Sequence, residues 1–193
     1  LSNIKYLNPK VILTTSCNPS EGKSFVASNI AITYARSGKK TVLIDADIRR
    51  GRQHNIFQIN SYNEGISNII QDNSTDFDKY ITHIESVENL DIITKGTACI
   101  DYSKLLYTNK IVQLIEQLKQ KYDFIIIDGT PKSLVADDIA FSKAVDYTIL
   151  VVRYNKARFS EVKKIKNMIP IKRKRLGVLL NYMPGIGGKY QYS

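Results

Sequence analysis

At 193 residues the chain is long enough for one α/β domain with a well-buried core. Its two cysteines exclude a disulfide framework and point to a reducing compartment, and no apolar run approaches the roughly 18 residues that span a bilayer. The formal charge of +10 is concentrated, because ten of the 28 Lys and Arg lie between Arg153 and Arg175 against the single acid Glu161; that face suits an acidic partner segment or an anionic membrane surface, and its sparse aromatics and lack of a reader motif argue against nucleic acid.

In chain order, residues 10–15 are near-continuously apolar, the pattern of a strand buried on both faces of a parallel sheet. They break into Ser16-Cys17-Asn18-Pro19-Ser20-Glu21-Gly22-Lys23-Ser24 and then into a helix that starts at Lys23 and closes at Gly38. This is the form of a phosphate-binding loop. Backbone N–H groups and the helix N-terminus take the phosphates, Gly22 lets the backbone come close, Lys23 neutralises the β/γ oxygens and the Ser24 hydroxyl suits Mg²⁺. Cys17 stands where the pattern G-x-x-x-x-G-K-[ST] opens with glycine.

A second apolar strand, 41–47, carries Asp45 and Asp47 on one side at its carboxyl end, where open α/β sheets bind ligands. Arg49, Arg50 and Arg52 follow within reach of a phosphate site, and His54 reads as a loop hydrogen-bonder because no metal-spaced partner surrounds it. A short helix is expected at 64–70, a strand at 90–94 and a long helix at 103–121. The run 122–128 ends in Asp128, the Walker B form, and Gly129-Thr130-Pro131 is expected to turn the chain away. Asp137 and Asp138 suit a helix start. A strand at 146–152, a basic helix and a strand at 176–181 complete a doubly wound, mainly parallel α/β sheet flanked by helices, a P-loop NTPase fold in a single domain over 1–193. Its glycine-rich end, about 184–193, reads as a flexible tail bearing Tyr190 and Tyr192.

Taken together, Pro19-x-Glu21-Gly22-Lys23-Ser24, the strand ending Ile44-Asp45-Ala46-Asp47-Ile48-Arg49-Arg50, the strand Phe124 to Asp128, Leu176 to Asn181 and the tyrosine-bearing end resemble the bacterial tyrosine kinases of capsule and exopolysaccharide export. The resemblance covers nearly the whole chain, and its most specific part is the strand with Asp45 and Asp47. It implies an ATP- and Mg²⁺-dependent autokinase that phosphorylates its own C-terminal tail in trans and so regulates polysaccharide synthesis and export. By the same resemblance, Asn18, Pro19, Ser20, Glu21, Gly22, Lys23, Ser24 and Phe25 cradle the nucleotide and Asn181 reads the adenine. Ser24, Asp45 and Asp128 attend the metal. Lys23, Asp45 and Asp47 are catalytic, Asp45 as base for the tyrosine hydroxyl and Asp47 supporting the metal or its waters. Tyr190 and Tyr192 are the acceptors.

The implied partner is the cytoplasmic segment of a transmembrane activator, a polysaccharide co-polymerase, which would hold a cytoplasmic chain at the inner face of the plasma membrane. Self-association is implied too, although the Glu-x-x-Arg-x-x-Arg motif that drives it would lie before Leu1. Cys17, Gly51 and Gly129-Thr130-Pro131 depart from the family pattern without touching its phosphate and metal ligands. An exposed Cys17 acidified by the helix N-terminus would make nucleotide binding sensitive to oxidation. The alternatives are an ATPase of the MinD/ParA type, against which Asn18 stands in place of a signature lysine, and a nucleotide-gated scaffold that transfers nothing.

Overall fold

Short runs of Val, Ile and Leu, each bounded by polar turn residues, can bury both faces only at the centre of a sheet. The computed structural model describes residues 10–60, 63–72, 74–98, 109–131, 141, 144–168 and 175–184, and those runs form its sheet. In chain order the elements are β1 (Val11–Ser16), α1 (Lys23–Arg36), β2 (Thr41–Asp45), the single turn α2 (Gln53–Ile56), α3 (Ile66–Gln71), β3 (Thr82–His83), β4 (Leu90–Ile93), α4 (Lys110–Lys121), β5 (Phe124–Pro131), β6 (Tyr147–Arg153), α5 (Phe159–Met168) and β7 (Leu176–Asn181). The strand order is β3-β4-β2-β5-β1-β6-β7, with every pair parallel except β3–β4.

Alternation along the strands sorts the core into two faces. Val11, Leu13, Val42, Ile44, Ile125 and Ile127 meet α3 and α4 through Ile66, Ile69, Ile111, Leu114, Ile115 and Leu118. Ile12, Leu43, Ile126, Ile149 and Val151 meet α1 through Val26, Ala27, Ile30, Ala31 and Ala35, whose small side chains bring that helix close to the sheet. Full burial of each large aliphatic side chain is worth about 1.5–3 kcal/mol. The parallel register also sets the chemistry, because Asp128 on β5 is the direct neighbour of both Asp45 on β2 and Thr14 on β1.

Two expectations change. The two-residue β3 adds a seventh strand, too short for any periodicity to announce it. Gly129-Thr130-Pro131 does not leave the sheet: β5 runs on to Pro131, which pairs with Ser16 past an irregularity that sets Gly129 and Thr130 of β5 opposite Thr15 of β1, and the Thr15 hydroxyl donates to the Thr130 carbonyl at 2.7 Å. The helix expected over 103–121 is described from Lys110 onward. Asp137 and Asp138, residues 172–174 of the basic stretch, and Tyr190 and Tyr192 lie outside the described residues.

Ile126 is wholly buried on the central strand. Ile126→Ala should lower unfolding free energy by about 2–5 kcal/mol in urea denaturation, while Val178→Ala on the exposed outer strand should change it by about 0.5 kcal/mol or less.

Candidate active site

The loop between β1 and α1 is shaped by its own sequence. Ser20 and Gly22 both take positive φ, 64° and 91°, and Gly22 is the N-cap of α1, so that among the described residues no side chain caps the first N–H groups of that helix. Below the loop, the buried Glu21 carboxylate accepts the Asn18 N–H at 3.0 Å and the Ser16 hydroxyl donates to the Asn18 carbonyl at 2.8 Å. From β7, the Asn181 amide donates to the Glu21 carbonyl at 3.0 Å. A Cβ on residue 22 would lie 2.1 Å from that amide nitrogen, so glycine is required here on two counts. Asn181, expected at the adenine, is seen here as a strut of the loop.

Lys23 turns inward from the first turn of α1. Its ammonium lies 3.2 Å from Asp47 Oδ2, 3.2 Å from Asp128 Oδ1 and 3.2 Å from Ser24 Oγ. Burial opposes that charge, but Asp128 and Asp47 outweigh it and hold the Lys23 pKa above its ordinary value. Asp128 is fully buried, and burial drives its pKa up against the pull of Lys23, Gln53 and Ser24.

Asp45 and Asp47 share a strand end but not an environment. Asp47 lines the cavity beside the loop, with its Oδ1 accepting the Arg50 N–H at 3.0 Å. Asp45 is tucked beneath Gly51, where a Cβ would come within 2.5–2.7 Å of the carboxylate; only glycine leaves it that room. Its Oδ2 accepts the Gln53 N–H at 3.0 Å, and its Oδ1 has no hydrogen-bond partner among the described residues. Burial, reinforced by the Asp128 charge, pushes Asp45 up to about 8.

Gln53 escaped sequence reasoning, because attention in its stretch fell on the arginines and His54. Wholly buried on α2, it donates through Nε2 to Asp128 Oδ2 at 2.9 Å and to the Ser24 carbonyl at 3.0 Å, and so joins the Asp45 loop, β5 and the phosphate loop. The only signal for it was its place at a helix start after a glycine. Cys17 corrects an expectation: it is 4% exposed, packs against Leu150, Val152 and Ile165, and burial followed by the Glu21 charge raises its thiol to about 11, the reverse of an acidified, accessible thiol.

A cavity of about 580 Å³ opens above these groups, of a size that takes a small-molecule ligand. Ser16, Pro19, Ser20, Gly22, Lys23 and Ser24 line its middle. Arg153 and Tyr182, with the guanidinium 4.4 Å over the ring centroid, line the β6–β7 side; Asp47, Arg50, Arg52, Asn55 and Ile56 line the β2 side. Phe25 lines it as well. Among the described residues no group of three His, Cys, Asp or Glu encloses a metal position. Hard oxygens from Asp128 and Ser24 nevertheless fit Mg²⁺, which takes one or two carboxylates and completes its shell with phosphate and water. Tyr190 and Tyr192 fall outside the described residues, so their relation to the cavity is not defined.

A family profile described as an AAA domain matches residues 10–180. The chain is similar to the CapB protein of Staphylococcus aureus, assigned as a tyrosine-protein kinase, with 38% identity over 188 residues that make up 95% of this chain and 81% of CapB. Some similar kinases are longer: the match to tyrosine-protein kinase etk of Escherichia coli K12, 33% identical over 152 residues, takes in 79% of this chain and 20% of etk. Among solved structures, the chimerical protein CapA2B2 superposes with a TM-score of 0.82 at 37% identity, over 91% of this chain and 77% of that one. MinD of Aquifex aeolicus gives a TM-score of 0.72 at 22% identity over 91% of this chain and 70% of its own, a likeness of fold alone.

The raised pKa of Asp45 makes stability pH-dependent with a definite sign. The folded chain holds the Asp45 proton up to about 8, whereas an unfolded aspartate releases it near 3.9, so the stabilisation present at low pH is lost as pH rises through that window. Asp45→Asn, which fixes the neutral form, should therefore stabilise the metal-free chain by about 1–3 kcal/mol at pH 8.5 and by little at pH 4. Denaturation at the two pH values checks this.

Proposed function

The chain belongs to the AAA domain family and, within it, to the bacterial tyrosine-protein kinases, and on that premise we propose that it transfers the γ-phosphoryl group of ATP, with Mg²⁺, to tail tyrosines of a neighbouring copy, Tyr190 and Tyr192. The observation that carries this reading is the Lys23 ammonium held 3.2 Å from Asp47, Asp128 and Ser24 at an uncapped helix N-terminus. Phosphoryl transfer asks a protein mainly for positioning and charge neutralisation.

The phosphate loop from Asn18 to Phe25 holds the nucleotide, with Lys23 placed against the transferring group and Asn181 on the adenine side. Ser24 and Asp128 hold the metal with support from Asp45 and Asp47, and the metal supplies further neutralisation of the phosphoryl charge. The phenol oxygen of the acceptor forms a bond to the γ-phosphorus while the bond to the bridging oxygen breaks and its electron pair leaves on ADP. The phenol proton passes to a carboxylate on the β2 side. Asp45 is read as that base. Rotation from beneath Gly51 would bring it to the cavity that Asp47 already lines.

The remainder of the reading concerns location and partners. Among the described residues no helix is long and apolar enough to cross a membrane. The basic stretch between Arg153 and Arg175 offers a docking face for the cytoplasmic segment of a transmembrane activator, which would keep a cytoplasmic domain at the inner membrane face and tie its phosphorylation to capsule or exopolysaccharide output. The chain is read as one P-loop domain with a tyrosine-bearing tail.

With γ-labelled ATP, the purified chain should carry label on tail tyrosines, located by mass spectrometry, rather than release phosphate alone. Asp45→Asn should cut labelling by about 10²-fold or more while leaving a more stable fold. Lys23→Met should abolish labelling and also cost about 3–5 kcal/mol of stability, because it strips the counter-charge from buried carboxylates. Undiminished tail labelling in either variant would overturn the assignment.

A further inference from the structure

The cavity has two sides, set by strand order. From the phosphate loop after β1, one side reaches over β6 and β7 to Arg153, Tyr182 and Asn181, where the nucleotide base is assigned; the other reaches over β5 toward β2. On that second side, Asp47 marks where the acceptor oxygen must arrive. Beyond it, next to Phe25 at the end of the phosphate loop, lies a surface of Arg50, Arg52, Asn55 and Ile56 to which no nucleotide contact is assigned. Ile56 is 41% exposed, and Arg50, Arg52 and Asn55 are exposed and line the same cavity, as does Phe25 at 63% exposure. An exposed Phe and Ile beside two solvent-facing guanidinium groups is a poor surface for water and a good one for an aromatic ring with an anion next to it.

The acceptor tail explains which anion. From Met183 to Ser193 the sequence carries no Asp or Glu, and its two tyrosines stand two residues apart as Tyr190-Gln191-Tyr192. In an extended strand, residues i and i+2 point to the same side. A phosphate left on one of these tyrosines by a preceding transfer is an anion two residues from the other.

We propose that Arg50 and Arg52 form a phosphotyrosine-binding subsite on the acceptor side of the cavity, so that a tail already phosphorylated on one tyrosine is preferred for phosphorylation of its neighbour. The acceptor ring packs on Phe25 and Ile56, and the phosphate two residues away bonds to the guanidinium groups. Phosphorylation of the tail is then self-reinforcing: the first transfer is the slow one, and each singly phosphorylated tail is the better substrate. This rests on the reading of the tail as acceptor, whereas the binding surface is testable without it.

The test uses the purified full chain saturated with Mg·ADP, so that the phosphate loop is occupied. Fluorescein-labelled peptides Gly-Gly-Lys-X-Gln-Phe-Ser, with X as tyrosine, phosphotyrosine or glutamate, are titrated by anisotropy. The phosphotyrosine peptide should bind about fivefold or more tighter than the tyrosine peptide. Arg50→Gln with Arg52→Gln should bring that ratio to about one, and Arg50→Lys with Arg52→Lys should restore part of it. Equal binding of the phosphotyrosine and tyrosine peptides, a preference that survives the glutamine pair, a preference seen only without ADP, or a glutamate peptide as tight as the phosphopeptide would each overturn the proposal. Turnover of Gly-Gly-Lys-phosphoTyr-Gln-Tyr-Ser is measured separately. Selective binding without turnover refutes the tail as acceptor and leaves the arginine subsite standing.

Discussion

One buried charge constrains the site. Lys23 brings an ammonium into an interior where an isolated ion would cost several kcal/mol, and it is tolerated because Asp47, Asp128 and the Ser24 hydroxyl meet it at 3.2 Å each. Those oxygens come from β2's end, β5 and α1, so the ion contacts bring together three segments that the sheet delivers to one edge. The arrangement holds a cation among hard oxygens beside a set of unclaimed N–H groups. Anionic phosphate and a divalent cation are the natural visitors to such a place, and the same charges that cost stability in their absence are useful in their presence.

Gln53 and Gly51 make that arrangement specific. Gln53 holds Asp128 by the oxygen that Lys23 does not use, and with its backbone N–H it holds Asp45. Gly51 yields the space into which Asp45 folds, at the cost of a carboxylate oxygen without a hydrogen-bond partner among the described residues. The result is two aspartates separated by one residue with opposite characters, one lining the cavity and one withdrawn with a raised proton affinity. On the far side, Asn181 ties β7 to the phosphate loop, so both ends of the cavity are mechanically joined to the loop between them.

Much of this was legible in the chain. Continuous apolar runs announced the central strands, Gly38 the end of α1, and Gly22-Lys23-Ser24 after a strand announced the anion site, because each depends on local backbone preference or on burial periodicity. Other features had no local signal. The two-residue β3 is held by antiparallel pairing with β4 and by the Asn63 amide, which donates to the Thr82 hydroxyl. Gly129-Thr130-Pro131 has turn composition, yet β1 draws it into the sheet through the Thr130 carbonyl and the Pro131 pairing. Cys17 sits at a loop that sequence places near a helix N-terminus, but its side chain points under the loop into an apolar cluster, and burial rather than the helix dipole governs its acidity.

By itself, then, the sequence determined the class of fold, the order of its main elements and the place of the glycine-bearing loop between β1 and α1, since all three follow from patterns within about twenty residues of chain. Only the tertiary structure decided how Asp45 and Asp47 differ, that Gln53 belongs to the site, and which residues flank each side of the cavity. Those facts depend on distances between β2, β5, β1 and β7, strands that lie far apart in the chain and become neighbours, or near neighbours, only once the parallel sheet is assembled.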